Sequence, residues 1–328
     1  VKVTISDIAK MAGVAKSTVS RYLNGGYVSE TTKLKLDKII ADTKYEPNSF
    51  AQSLKAKKTN LIGAIIPRFD SYATSRMLIG IDESLKELGY QILVANTSQK
   101  LEREIENIYS LANQKAAGII LLAKQITKEH IEAAKAVDLP ILIAGQEDEE
   151  FHSLVYGDAQ SGYDIGKYVA KCGHTNICYI GVTEEDVAVG VKRKEGFRKA
   201  IEEEGIENVS YYESSFSIEG AYTVATSIIK ENPATVYVCA TDNIALGTMK
   251  AIHHHGLKIP EDISVTGFGD YDVADIIDPS LTTIHYPYKT AGGTAANKIV
   301  RMIQGEDVER LTTIPCYLVE RKSVRRRK

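Results

Sequence analysis

The apolar positions follow two rhythms, and the change falls near residue 60. Before it they recur three and four apart: Ile8, Ala9 and Ala12, then Val19 and Leu23, then Leu34, Ile39 and Ile40. That spacing predicts three short helices closing a small core. Thr4-Ile5-Ser6-Asp7 has the capping-box spacing at the first start. Ala12-Gly13-Val14 breaks that helix, because Gly13 takes the left-handed backbone a tight turn needs. The second helix is expected over about residues 15–24, ending at Gly25-Gly26, and the third begins after Ser29. Beyond residue 60, apolar runs of strand length lie at 61–66, 91–95, 118–122, 141–144, 177–180, 209–213, 235–240 and 263–267. Amphipathic stretches such as 76–88, 101–114, 192–204 and 221–231 separate them, and Gly89, Gly173, Gly205, Gly256 and Gly305 stand where helices should stop. Alternating strands and helices imply parallel sheets covered on both faces. The expected fold is a small all-α helix-turn-helix head on an α/β body with two parallel-sheet lobes.

Charge sharpens the division. Residues 1–58 carry eleven Lys+Arg against five Asp+Glu, net +6, and the remainder carries 29 against 38, net −9. A basic head on an acidic body suits a polyanion met by the head alone. Two short helices joined by a tight turn place the second in a DNA major groove. Lys16, Ser17, Thr18, Ser20 and Arg21 are then the candidate DNA contacts, and Arg21 can pair two hydrogen bonds with guanine. A three-helix interaction module with solvated charges fits the same pattern. Pro47 through Lys55 offers a second capping box, Ser49 to Gln52, on a helix too short to persist alone in water. The expected domains are 1–46 (head), 47–59 (hinge and linker) and 60–328 (body). The basic run from Arg321 to Lys328 reads as a solvated tail.

Ligands of open α/β sheets sit beyond the carboxyl ends of the strands. The residues at those ends are Arg68, Asp70 and Ser71, then Gln146, Phe216, Thr241 with Asp242, and Gly269 with Asp270. Carboxylates, an arginine and aromatic rings around one cleft suit a polyol, though any α/β loop is polar.

Other classes find little support. No apolar run reaches the roughly 18 residues of a membrane span, and no signal segment opens the chain. Cys172, Cys178, Cys239 and Cys316 form no CxxC pair, so free thiols in the cytoplasm are expected. There is no GxGxxG, GxxxxGK[ST] or GxSxG motif. His253-His254-His255 precedes Gly256 and reads as a helix end, not a metal site, and Glu184-Glu185-Asp186 reads as a solvated loop. No enzyme activity, cofactor or metal is expected.

Residues 3–24 and 47–54 closely resemble the head and hinge of the lactose-repressor family of bacterial transcription regulators. The stretches Gly173-His174 through Gly181, Arg193-Lys194-Glu195-Gly196-Phe197, Asp242 through Gly247, and Ile263 through Ile284 extend the likeness over nearly the whole chain. Pro67 through Ser71 and Asp186 through Arg193 resemble the sucrose-operon repressors of Gram-positive bacteria. The resemblance implies that Lys16, Ser17 and Arg21 read bases, and that Leu54 wedges into the minor groove of a pseudo-palindromic operator with Lys55 beside it. It implies a homodimer whose body is built like a periplasmic sugar-binding protein. Lobe one would take about 60–171 and 286–313, and lobe two 172–285 and 314–328. It places effector contacts on Arg193, Phe216, Thr241, Asp242, Gly269 and Tyr286. The effector would be a sugar or sugar phosphate that loosens operator binding, Arg68 and Arg193 together suiting a phosphate. The alternatives are a catabolite regulator of the same family whose effector is a phosphocarrier protein, or a sugar-binding or sugar-modifying protein. Ala15 stands where the family has a capping Ser, Gly269 where many members have Asp, and Thr241 where the lactose-binding member has Asn.

Overall fold

The computed structural model describes residues 3–327 apart from 24, 46–58 and 232. The hinge candidates Leu54 and Lys55 therefore lie outside the described residues. The chain divides between Thr59 and Asn60 into two compact units.

In the first unit, α1 (Ile5–Ala12) starts at Thr4, whose hydroxyl accepts from Asp7 N while Asp7 Oδ2 accepts from Thr4 N at 3.0 Å. Gly13 closes it at φ +65°. Next comes α2 (Lys16–Leu23), entered from Ala15, which has no side-chain oxygen to cap it. Ser29 caps α3 (Glu30–Thr43) by accepting from Thr32 N. The core is Ile8, Ala9, Ala12, Val19 and Leu36, with Ile39 and Ile40 packed beside it. Leu34 is a correction: it is 67 % exposed and Leu36 takes its place. The helical period explains this, since Leu36, Ile39 and Ile40 share a face that excludes a residue two positions earlier.

The second unit holds two six-stranded sheets. The first contains β1 (Leu61–Ile66), β2 (Gln91–Asn96), β3 (Gly118–Leu121), β4 (Ile141–Ala144), β5 (His152–Tyr156) and β11 (Leu311–Ile314). Its order is β11-β5-β4-β3-β1-β2, all parallel. The second contains β6 (Asn176–Gly181), β7 (Asn208–Glu213), β8 (Val236–Cys239), β9 (Ser264–Gly269), β10 (Thr282–His285) and β12 (Tyr317–Val319). Its order is β12-β10-β9-β8-β6-β7, and only β12 runs antiparallel. The helices α4 (Tyr72–Glu87), α5 (Leu101–Asn113), α6 (Lys128–Ala136) and α12 (Tyr288–Ile303) cover the first sheet. The second sheet carries α7 (Asp158–Lys171), α8 (Arg193–Glu203), α9 (Ile218–Glu231), α10 (Asp242–His254) and the single turn α11 (Val273–Ile276). Gly89, Gly173, Gly205, Gly256 and Gly305 all sit at positive φ after helices.

Three crossings join the lobes: between β5 and α7, between β10 and α12, and between β11 and β12. The first corrects the expected boundary at 171. Ile165 and Val169 of α7 belong to the core of the second sheet, so lobe one ends at Tyr156. The basic terminal run is also not a free tail. Ser323 exchanges hydrogen bonds with Val265, Arg325 NH1 donates to Glu261 O (3.2 Å), and Arg327 N donates to Cys172 O (2.7 Å). These bonds hold the segment as a strap along lobe two. Backbone partners determine its course, and they leave no trace in composition.

Candidate functional sites

On the head, Lys16, Ser17 and Arg21 are exposed along one face of α2, and Thr18 and Ser20 are half-buried. Val19 is fully buried at the centre of the core, so burying that one residue turns the polar face outward. Tyr22 donates to Asp37 of α3 and braces the opposite side of the helix.

In the body, one cleft opens where the carboxyl ends of both sheets face each other. Its empty space, with the open mouth and the solvent there included, is about 950 Å³. Of the expected effector residues, Arg68, Ser71, Gln146, Arg193, Phe216 and Thr241 line it. Ser71 also caps α4 by accepting from Thr74 N, and Thr241 caps α10 by accepting from Ile244 N. Arg68 lies over the Phe216 ring, 4.9 Å from its centroid, and so reaches across the lobes.

Arg193 sits at the base of the cleft, 5 % exposed. Its Nε donates to Asp158 Oδ1 (2.7 Å) and its NH1 to Ala240 O (2.7 Å). The guanidinium also lies 4.5 Å from the Tyr286 ring centroid. Helix packing brings this pair together. A Cβ on Gly162 would overlap Arg193 O, and one on Gly196 would overlap Ala159 O, so α7 and α8 approach backbone to backbone. Their first residues, Asp158 and Arg193, are thereby brought within hydrogen-bonding distance. A run of π-helical turns, Val187–Lys192, leads into α8, and Asp186 caps it by accepting from Val189 N (3.1 Å). Such wide turns are rare and concentrate at functional sites. Burial pushes the Asp186 carboxyl above the usual range, and this residue lines the cleft instead of lying in a solvated loop.

Asp70, Asp242, Asp270 and Tyr286 do not line the cleft. Asp70 points to solvent with its side chain 81 % exposed and meets Arg68 at 3.6 Å. Asp242 is fully buried, accepting from Thr283 Oγ1 (2.6 Å) and Tyr271 N (2.7 Å), and burial pushes its carboxyl up to about 6. Asp270 is held by His285 Nδ1 (2.8 Å) and Arg321 (2.7 Å). Tyr286 is buried behind Arg193 and donates to Asp158 Oδ1 (3.0 Å). For Asp242, Asp270 and Tyr286 a partner from a distant segment captures the side chain, whereas Asp70 simply turns to solvent. Sequence reasoning missed Asp158, Tyr156, Tyr271, Tyr288 and Lys124 among the lining residues. Asp158 follows a strand, as the other candidates do, but Ser153-Leu154-Val155-Tyr156 is too short and mixed a run to be recognised as one.

Polar pairs bridge the lobes around the cleft. Lys124 meets Glu185 at 2.9 Å, Lys192 meets Glu147 at 2.6 Å, and Arg76 pairs with Asp272. Exposed pairs of this kind contribute about 0–1 kcal/mol each, so the lobes are tied reversibly. His255 Nδ1 is bonded to Ala251 O at the end of α10. Among the described residues no group of three or more His, Cys, Asp or Glu is placed to hold a metal, and no helix is long and apolar enough to cross a membrane.

Residues 4–48 match the family model of bacterial regulatory proteins, lacI family, and residues 167–324 match a periplasmic binding protein-like domain. The sucrose operon repressor of Staphylococcus xylosus is 40 % identical over 307 residues, covering 93 % of this chain and 95 % of that protein. Catabolite control protein A of Priestia megaterium is 28 % identical over 318 residues, 94 % of each. A solved lac repressor dimer, bound to operator and the anti-inducer ONPF, superposes with TM-score 0.93 at 26 % identity, covering 99 % of this chain and 100 % of that one. An exposed polar face on α2, a two-lobed cleft body and likeness along nearly the whole chain agree: the protein belongs to the lacI family of bacterial regulatory proteins and is a DNA-binding transcription regulator.

Proposed function

We propose that this regulator represses a sucrose-type sugar operon and that a sugar or sugar phosphate in the cleft releases it. The observation that carries this reading is the cleft itself. Aromatic faces from Phe216, Tyr271 and Tyr288 surround Gln146, Arg68 and Arg193 between two weakly tied lobes. Rings cover the apolar faces of a sugar and the polar groups take its hydroxyls. The likeness to a sucrose operon repressor supports the choice of sugar. Asp158 meets the charge of Arg193 in a buried pair, whereas Arg68 and Lys124 meet only the exposed carboxylates of Asp70 and Glu185, so recognition of a phosphate would fall to Arg68 and Lys124. The chain acts as a homodimer on a two-fold operator, because a two-fold protein reads two-fold DNA. Lys16, Ser17 and Arg21 read the bases, and Thr18 and Ser20 of the same helix add further contacts to the DNA. Leu54 and Lys55 enter the minor groove at the centre, where an apolar wedge trades unstacking for a bent, more extensively contacted site. The protein works in the cytoplasm at the nucleoid and catalyses no reaction. Effector binding shifts the lobes, and it regulates only as far as it binds the two states unequally, typically by about 1–3 kcal/mol. Gel-shift titration on the operator with sucrose, fructose and their phosphates tests this. At least one should lower operator affinity about tenfold or more; no change with any of them rules out the sugar assignment.

A further inference from the structure

We infer that Tyr271 is a specificity-determining wall of the cleft, held against Tyr72 of the opposite lobe as a gate that a longer ligand must displace. Three consecutive residues of lobe two, 269–271, are shaped for this. Gly269 has φ +141°, and a Cβ there would overlap the Tyr271 ring. Only glycine lets the ring take its place. Asp270 follows at φ +52°, its carboxylate drawn off to His285 and Arg321. Tyr271 N donates to the buried Asp242 Oδ2 (2.7 Å), which pins the backbone to the second sheet. The ring lines the cleft and stacks on Tyr72, the first residue of α4, with centroids 4.1 Å apart and planes 24° off parallel.

The next residue completes the join. Asp272 N donates to the Tyr72 hydroxyl (3.2 Å), and its carboxylate pairs with Arg76, one turn along α4. The Arg76 guanidinium lies 5.1 Å from the Tyr72 ring centroid. A stacked pair, a hydrogen bond, an ion pair and a cation–π contact thus converge on one rim of the cleft. Elsewhere around the cleft, the contacts between lobes among the described residues include the exposed ion pairs, the Arg68–Phe216 contact and a backbone hydrogen bond from Val187 N to Lys124 O (3.3 Å). A ligand that fits inside this wall leaves the stack intact, and one that extends past it must break the stack.

The size-selection arm rests on the sugar reading; a second arm does not. In calorimetric titrations of the full chain, the native protein and Tyr271→Phe should prefer sucrose to the trisaccharide raffinose by the same factor. Tyr271→Ala should shift that ratio toward raffinose about tenfold. An unchanged ratio overturns the wall. The chain has no tryptophan, so Tyr72→Trp introduces a single fluorescent reporter at the stack. Adding Tyr271→Ala should raise its quenching by acrylamide severalfold, and equal quenching with and without Tyr271 overturns the gate. If no saccharide binds, the sugar reading fails and the quenching result still decides the gate.

Discussion

Arg193 carries its charge into a site almost closed to water, and Asp158 is what makes that tolerable. Leaving a buried ion without its partner costs about 3–5 kcal/mol. Asp158→Ala should therefore destabilise the body by that order in urea unfolding, while Asp158→Leu combined with Arg193→Met should recover much of the loss. Equal losses in both would show that the pair is not the reason. Asp242 makes a second point about burial. Its folded pKa of about 6 lies above the ordinary value of 3.8, so the native state holds the proton more tightly than the unfolded chain. The associated stability, about 3 kcal/mol, is fully present below pH 4 and is lost as the pH rises through 6. Asp242→Asn does not titrate there. The melting midpoint of the native protein relative to that variant should fall between pH 4 and 7, and a constant difference would contradict the burial argument.

At the scale of elements, glycine determines how closely helices meet and so where charged side chains lie. Gly162→Ala should push α7 from α8, cost about 1–3 kcal/mol or more, and weaken sugar binding by moving Asp158 and Arg193 apart. Gly157→Ala is the control, because the nearest atom to its added Cβ is 3.8 Å away; it should stay within about 0.5 kcal/mol of the native protein. Losses of the same size in thermal melts would refute the close-approach explanation. The elements differ in how far sequence reveals them. Long apolar runs such as those of β1 and β4 are evident because both faces of their sheet are covered. By contrast, β10 hides behind Thr282 and Thr283, which are buried because Arg321 N and Asp242 take up their hydroxyls. Polar residues satisfied by remote partners look like loop until the partners are known.

For the whole molecule, charge and function divide between two units. A basic head meets phosphates without regard to sequence, and base contacts supply specificity. Leu54→Ala should weaken binding to the operator by at least tenfold more than binding to random duplex, since only the operator centre pairs wedge with kink. Equal losses in a competition gel shift would remove Leu54 from that role.

Local chemistry determined the parts of this protein that depend on short stretches of chain. The Thr4 cap, the Gly13 turn, the outward face of α2 and the alternation of strand and helix all follow from residues a few positions apart. The position of the cleft followed too, because the carboxyl ends of parallel strands are where an α/β sheet is open. What only the tertiary structure decided is which strand-end residues enter that cleft. Asp242, Asp270 and Tyr286 were drawn away by Thr283, by His285 and Arg321, and by Asp158, while Tyr271 and Tyr288 were brought in. Each of those choices depends on a partner far along the chain, and the energy of a buried polar group depends on that partner more than on its own identity.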